Sequence, residues 1–163
     1  MAAANLREEA KSRGVAASRL VFAPRMELPD HLARHRIADL FLDTLPCNAH
    51  TTASDALWMG LPVLTCLGKT FAGMVAASVL GAIDLPELVA SSHEEYEATA
   101  LELATHPQKL SAIRQKLAQN RNSSPLFDTK LFTKNIENIY HQMWKRNQVG
   151  DAPDHLQTKR INL

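Results

Sequence analysis

Hydrophobic positions along the chain alternate between short continuous runs and stretches with helical spacing. Short apolar runs bounded by proline or polar loops are typical of strands buried in a parallel sheet. Four such runs are predicted as strands, over 19–23, 37–42, 62–67 and 85–90. Helices are predicted over 5–13, from Pro29, over 51–59, around 74–80, and over 93–105, 107–120 and 128–147. This alternation predicts an α/β fold, a doubly wound parallel sheet wrapped by helices.

The order of the predicted elements divides the chain into three parts. A doubly wound unit usually begins with its central strand, whereas this chain begins with a helix. We therefore expect residues 1–127 to form one Rossmann-like lobe whose first strand is missing. A C-terminal amphipathic helix over 128–147 and a tail over 148–163 are expected to follow.

The last predicted helix carries one continuous apolar stripe. Its members are Phe132, Ile136, Ile139, Tyr140, Met143 and Trp144. Their spacing places them on a single helix face, which favours burial of that face. The stripe could pack either against the helix's own domain or against a second lobe, and both alternatives remain open. If the stripe is exposed, it predicts self-association of the chain.

Composition and charge narrow the class of protein. The chain has 163 residues, of which 45% are hydrophobic and 21% charged, and its net charge is +1. This balance is typical of a soluble globular domain and argues against a nucleic-acid surface. The sequence contains no run of about 18 apolar residues, so no membrane-spanning helix is predicted. Cys47 and Cys66 do not form a disulfide framework, so we expect a cytoplasmic protein.

The segment 48–55 combines small and polar residues between a predicted strand and a predicted helix. A helix N-terminus offers unpaired N–H groups and a positive dipole end, which suit a phosphate. The Thr51 and Thr52 hydroxyls and the His50 ring add donors, and Asp55 lies where it can accept from ribose hydroxyls. The competing interpretation is ordinary N-capping by a threonine.

Two further candidates are weaker. His31 and Arg34 are three residues apart on a predicted helix and share a face near a strand end, although a solvated polar face is equally compatible. The Gly68-Lys69-Thr70 loop offers a cation to a phosphate, but such loops are more often simple turns. The sequence has no paired carboxylates or His/Cys/Asp cluster with metal-ligand spacing, so we expect no metal and no cofactor.

Two long segments resemble a known family. The segment 37–80 (IADLFLDTLPCNAHTTASDALWMGLPVLTCLGKTFAGMVAASVL) resembles the signature region of the O-GlcNAc transferase and SPINDLY family. The segment 123–144 (SSPLFDTKLFTKNIENIYHQMW) is similar to that family's C-terminal segment, and 150–155 (GDAPDH) to its tail. The resemblance runs from about residue 19 to about residue 155, nearly the whole chain.

The resemblance implies the nucleotide-binding lobe of a two-lobed GT-B glycosyltransferase. It implies metal-independent, inverting transfer of GlcNAc from UDP-GlcNAc to Ser or Thr hydroxyls of an acceptor protein, while SPINDLY relatives use GDP-fucose. By position, His50, Thr51 and Thr52 would contact the diphosphate and Asp55 the ribose. His31 and Arg34 would lie beside the uracil and phosphates, with the Met26 backbone facing the base.

The chain also departs from the family. Leu28 stands where the family often has lysine, and Ala49 where it has glycine. The family's tetratricopeptide repeats, its N-terminal lobe and a lysine that neutralises the leaving diphosphate are expected to be missing. We therefore expect the 163-residue chain to transfer no sugar alone. A stand-alone nucleotide-binding or interaction module, a GDP-fucose-using relative and an unrelated α/β domain remain alternatives.

Overall fold

The structure is a computed structural model that describes residues 1–158. It divides the chain into two compact units, Met1–Arg34 and a second unit from His35 onward. The helices are α1 (Ala2–Ser12), α2 (Leu28–Arg34), α3 (Thr51–Trp58), α4 (Val75–Ala82), α5 (His93–Thr105), α6 (Pro107–Asn120) and α7 (Thr129–Gln148). The strands are β1 (Phe41–Leu42), β2 (Val63–Cys66) and β3 (Val89–Ala90).

The first unit contains α1, α2 and a short 3-10 helix. Gly14 ends α1 with a positive φ of 76°. The Val15 N–H donates to the Ala10 carbonyl at 2.8 Å, and the Gly14 N–H to the Lys11 carbonyl at 3.0 Å. These two bonds form the glycine-terminated Schellman motif that satisfies carbonyls at a helix end.

The prediction of a strand over 19–23 is wrong. This segment contains the end of the 3-10 helix Ala17–Arg19 and then irregular backbone. Val21 is 87% exposed and Phe22 is 42% exposed, with the Arg7 guanidinium 4.7 Å from the centre of the Phe22 ring. A short apolar run becomes a strand only where a neighbouring strand pairs with it, and hydrophobicity alone does not supply that partner.

The second unit is built on a parallel sheet with the strand order β1-β2-β3. Phe41 pairs with Val63 on one side of β2, and Thr65 pairs with Val89 on the other. All four residues of β2 are buried, as expected for a central strand covered on both faces. Helix α3 connects β1 to β2, and α4 lies between β2 and β3. The predicted α/β fold with a parallel sheet is confirmed.

The three confirmed strands are shorter than the apolar runs that predicted them. Of the run 37–42, only Phe41 and Leu42 pair, because the 3-10 helix His35–Ile37 takes up its beginning. Of the run 85–90, the 3-10 helix Pro86–Leu88 leaves only Val89 and Ala90. Of the apolar residues left outside the strands, Leu85 and Leu88 are fully buried and Leu40 packs against the core, whereas Ile37 is 89% exposed.

The core of the second unit lies around β2 and the helices beside it. Its fully buried large side chains come from α3, β2, α4, the turn before β3 and α6: Leu57, Val63, Leu64, Leu80, Ile83, Leu85, Leu88 and Leu117. Tyr96, Ile113 and Phe127 pack against this cluster while remaining partly exposed. The core therefore fixes β2 and α3 relative to each other.

Helix α7 confirms the predicted helix over 128–147 to within one residue at each end. The Asp128 carboxylate accepts from the Leu131 N–H at 2.9 Å and caps its first turn. None of the twenty residues of α7 is buried. Within residues 1–158, no helix is both long enough and apolar enough to cross a bilayer.

Candidate functional site

The start of α3 is the centre of the candidate site. His50 is the N-cap residue, and its carbonyl accepts from the N–H groups of Ala53 at 3.1 Å and Ser54 at 3.3 Å. In the part of the chain that the structure describes, no side chain caps this helix. The threonine cap considered above is therefore not formed. The first N–H groups of α3 keep their capacity to bind an anion.

The side chains around this helix start are accessible. His50, Thr51 and Thr52 are exposed, and Asp55, one turn further along α3, is partly exposed. The His50 ring meets the Phe71 ring edge-on, with 6.1 Å between the ring centres. The structure thus places all four residues within two turns at one end of α3, as the spacing predicted.

The site lies where β1 ends and its loop leads into α3. Ligands of open α/β sheets bind outside the carboxyl ends of the strands. The loops after β1 and β2 meet at this edge, because the Asn48 N–H donates to the Ala72 carbonyl at 2.8 Å. The Gly68 N–H donates to the Gly73 carbonyl at 2.7 Å, which closes the loop after β2.

A cleft of about 470 Å³ lies at the same edge of the sheet. It is lined by Leu45, Pro46, Gly68, Lys69, Thr70 and His93. These residues follow β1, β2 and β3 respectively, so the cleft joins the loops of all three strands. Its lining includes a cationic side chain and a hydroxyl, a composition that accepts anionic or hydroxylated ligands.

The loop at Lys69 is a turn. The Thr70 hydroxyl accepts from the Gly73 N–H at 3.2 Å and caps the 3-10 helix Phe71–Gly73. Lys69 itself is exposed. The structure therefore gives Thr70 a local role in shaping the loop, in agreement with the turn interpretation of this motif.

The other three candidate residues belong to the first unit. His31 and Arg34 lie one turn apart on α2, and both are partly exposed. One guanidinium nitrogen of Arg34 donates to the Pro24 carbonyl at 3.1 Å, which ties the end of α2 to the segment before it. Met26 lies in that irregular segment and is 42% exposed.

A buried polar cluster under the loop after β1 was not predicted. Asp43 is only 8% exposed, and its carboxylate accepts from the Ala49 N–H at 2.7 Å and from the Thr65 hydroxyl at 2.6 Å. The Asn48 amide donates to the Thr44 carbonyl at 3.0 Å, while its own oxygen is buried without a partner among the described residues. An aspartate directly after an apolar strand was the one sequence signal for this cluster.

The side chains within residues 1–158 include no group of three or more His, Cys, Asp or Glu arranged to hold a metal ion. Both cysteines are free, with Cys66 buried in β2 and Cys47 exposed in the loop after β1.

Comparison with known proteins places the chain in a family. The model of glycosyl transferase family 41 matches residues 1–136. A UDP-N-acetylglucosamine–peptide N-acetylglucosaminyltransferase of Caenorhabditis elegans is 40% identical over 93% of this chain and 13% of its own length. The probable enzyme SEC of Arabidopsis thaliana is 37% identical over 96% of the chain and 16% of its own length. The chain thus spans well under a fifth of these relatives.

A solved structure extends the likeness to three dimensions. An O-GlcNAc transferase variant from Thermobaculum terrenum superposes with a TM-score of 0.82 at 37% identity, covering 88% of this chain and 28% of that one. The parallel α/β fold described above is therefore that of a Rossmann-like GT-B lobe. On the family match and the sequence identities together, the chain belongs to glycosyl transferase family 41.

Proposed function

We propose that this chain is the part of a protein O-GlcNAc transferase that holds the diphosphate of UDP-GlcNAc. The observation that carries the proposal is the start of α3, where no side chain among the described residues caps the helix and His50, Thr51 and Thr52 are exposed. The C. elegans relative carries the name UDP-N-acetylglucosamine–peptide N-acetylglucosaminyltransferase and the Arabidopsis relative the same name as a probable enzyme, which supports UDP-GlcNAc as donor and a protein as acceptor.

The chemistry of the transfer explains why such a helix start is useful. An acceptor Ser or Thr hydroxyl attacks the anomeric carbon of GlcNAc, the bond to the diphosphate breaks, and UDP leaves with the electron pair. Negative charge therefore grows on the diphosphate as the bond breaks. Preorganised donors at the place where that charge develops stabilise the transition state. The N–H groups of α3 and the Thr51 and Thr52 hydroxyls are donors of this kind, and they serve a metal-independent reaction.

The remaining site residues are assigned on the family resemblance. Asp55 accepts from the ribose hydroxyls, and His50 donates to a phosphate oxygen. His31 and Arg34 contact the nucleotide, and the Met26 backbone faces the base. The acceptor-binding groups and the general base belong to parts of the enzyme that have no counterpart in this chain, which spans 13% to 16% of the relatives' lengths.

The setting of this activity is part of the same proposal. The full-length enzyme acts in the cytoplasm, with an N-terminal lobe and repeats beside the segment described here. Residues 1–127 form the nucleotide-binding lobe, 128–147 the amphipathic helix and 148–163 a tail. In isolation the chain self-associates through α7, whose apolar side chains are exposed.

Calorimetric titration with UDP and with GDP tests the proposed function. We expect saturable UDP binding by the unaltered chain and at least about tenfold weaker binding by the double variant His50→Ala, Thr52→Ala, since two phosphate donors are lost. The matched control replaces the same two residue types on α7, His141 and Thr133, and keeps the affinity. Preference for GDP would redirect the proposal to a GDP-fucose donor. Absence of binding to either nucleotide would refute it for this chain.

A further inference from the structure

Asp43 occupies the position directly after β1, and every polar group of this residue is hydrogen-bonded. Its N–H donates to the Leu64 carbonyl at 3.0 Å and continues the pairing with β2. Its own carbonyl accepts from the Tyr96 hydroxyl at 2.8 Å. Its carboxylate oxygens accept separately, one from the Ala49 N–H at 2.7 Å and the other from the Thr65 hydroxyl at 2.6 Å. Hydrogen bonds from β2, from α5 and from the loop after β1 therefore all hold Asp43 in place.

The bond to Ala49 connects this network with the candidate site. Ala49 immediately precedes His50, the N-cap residue of α3. A bond between a carboxylate and a backbone N–H is charge-assisted and stronger than a neutral one. It therefore fixes the path of the chain at the point where the exposed donors of the site begin.

The hydroxyl of Thr65 orients the Asp43 carboxylate. Thr65 lies in the central strand β2 and is fully buried. Loss of its hydroxyl would leave one buried oxygen of Asp43 without its donor, and a buried carboxylate in that state turns toward other donors or admits water. Either response would weaken the second bond, the one to Ala49.

Tyr96 holds the same residue from α5. Burial, together with the neighbouring Asp43 carboxylate, raises the pKa of the Tyr96 phenol. The phenol therefore keeps its proton well beyond neutral pH and remains a hydrogen-bond donor to the Asp43 carbonyl. This contact joins two segments that are 53 positions apart in the chain.

We propose that Asp43, oriented by Thr65 and Tyr96, is a positioning residue that holds the Ala49–His50 backbone in the geometry required for diphosphate binding at α3. The inference rests on the proposed function. It goes beyond that function because none of these three side chains is assigned to contact the nucleotide. A merely structural role would make the network stabilise the fold without changing the affinity of the folded protein.

Two substitutions at one buried position separate these roles. Thr65→Val keeps the shape of the side chain and removes the hydroxyl, whereas Thr65→Ser keeps the hydroxyl and removes a methyl group. We expect Thr65→Val to weaken UDP binding about tenfold, as for loss of one charge-assisted bond. It should also speed hydrogen exchange of the Ala49 amide. Thr65→Ser should retain the unaltered affinity and exchange, even where both variants unfold at lower temperature.

Tyr96→Phe provides a second, milder variant should Thr65→Val fail to fold. It removes a single hydroxyl from a partly exposed side chain, and we expect faster Ala49 exchange and weaker UDP binding in the same direction. Folded variants with unaltered affinity and unaltered Ala49 exchange would overturn the positioning role.

Failure of the proposed function gives a different result. In that case the unaltered chain binds neither UDP nor GDP, and the exchange measurement decides only whether the Asp43 network fixes the Ala49–His50 backbone. Faster Ala49 exchange in Thr65→Val but not in Thr65→Ser would support a network that fixes the loop. Equal exchange in both variants would overturn it.

Discussion

Single residues decide how closely the loops of the candidate site approach each other. A Cβ atom built on Gly68 would lie 2.9 Å from both the Cα and the carbonyl oxygen of Gly73. A Cβ atom on Gly73 would lie 3.0 Å from the Gly68 Cα and 3.2 Å from the Pro46 carbonyl oxygen. These are backbone atoms that cannot turn aside. Glycine at both positions is therefore required for the loop after β2 to fold back beside the loop after β1.

Gly68→Ala should consequently lower the free energy of unfolding by about 1–3 kcal/mol, the usual cost of forcing extra volume into a packed site. Gly81→Ala is the matched control, because no heavy atom lies within 4 Å of its added Cβ and it sits in α4. That control should raise the free energy of unfolding by about 0.5–1 kcal/mol, since alanine favours helix. Urea denaturation measures both, and equal effects of the two substitutions would contradict this account of the loop.

The sequence pointed to some of these residues and not to others. His50, Thr51, Thr52 and Asp55 were predicted as neighbours because they are close along the chain at a helix start, and local spacing is enough to place them. The network of Asp43 was not predicted, because two of its partners, Thr65 and Tyr96, lie 22 and 53 positions away. Contacts of that range depend on which strands and helices become neighbours, which no local pattern specifies.

Among the elements, α7 differs most from its surroundings. Phe132, Tyr140, Met143 and Trp144 are each between 52% and 62% exposed. Ile136 and Ile139 are only partly buried. The predicted amphipathic stripe is present, but the second unit does not bury it. An exposed apolar patch of this kind favours association with another surface.

We therefore predict that the isolated chain self-associates as its concentration rises. Replacing Met143 and Trp144 by glutamine should shift the light-scattering mass toward the monomer, because two large apolar contacts are removed. Lys134→Ala is the control, since Lys134 lies on the opposite face of α7 by helical spacing. A monomeric unaltered chain at high concentration would contradict the prediction.

Helices were predicted more accurately than strands for a physical reason. The helices from α5 to α7 are long and periodic, and their ends coincide with signals such as Ser92, Pro107 and Asp128. A strand instead depends on a partner elsewhere in the chain. The last two residues of the run at 37–42 pair with β2, whereas the run at 19–23 forms no strand.

At the scale of the whole molecule, the chain has the fold of a Rossmann-like GT-B lobe and belongs to glycosyl transferase family 41, but it spans only a small fraction of its relatives' length. It covers 28% of the solved relative and 13% of the C. elegans protein. Within residues 1–158 this segment contains a three-stranded parallel sheet, and the start of α3 lies at its carboxyl edge. Our central claim is therefore the proposal that this segment binds the leaving diphosphate at the start of α3.

Mapping UDP onto the chain by amide chemical shifts tests that claim most directly. Backbone amides of an isotope-labelled chain are followed while UDP is added, and a parallel titration uses uridine, which lacks the phosphates. If the diphosphate binds at the start of α3, UDP shifts the amides of 49–53 most strongly and saturably, and uridine shifts them far less. Shifts concentrated elsewhere, for example along α7, or equal shifts with UDP and uridine, would contradict a diphosphate site at this helix.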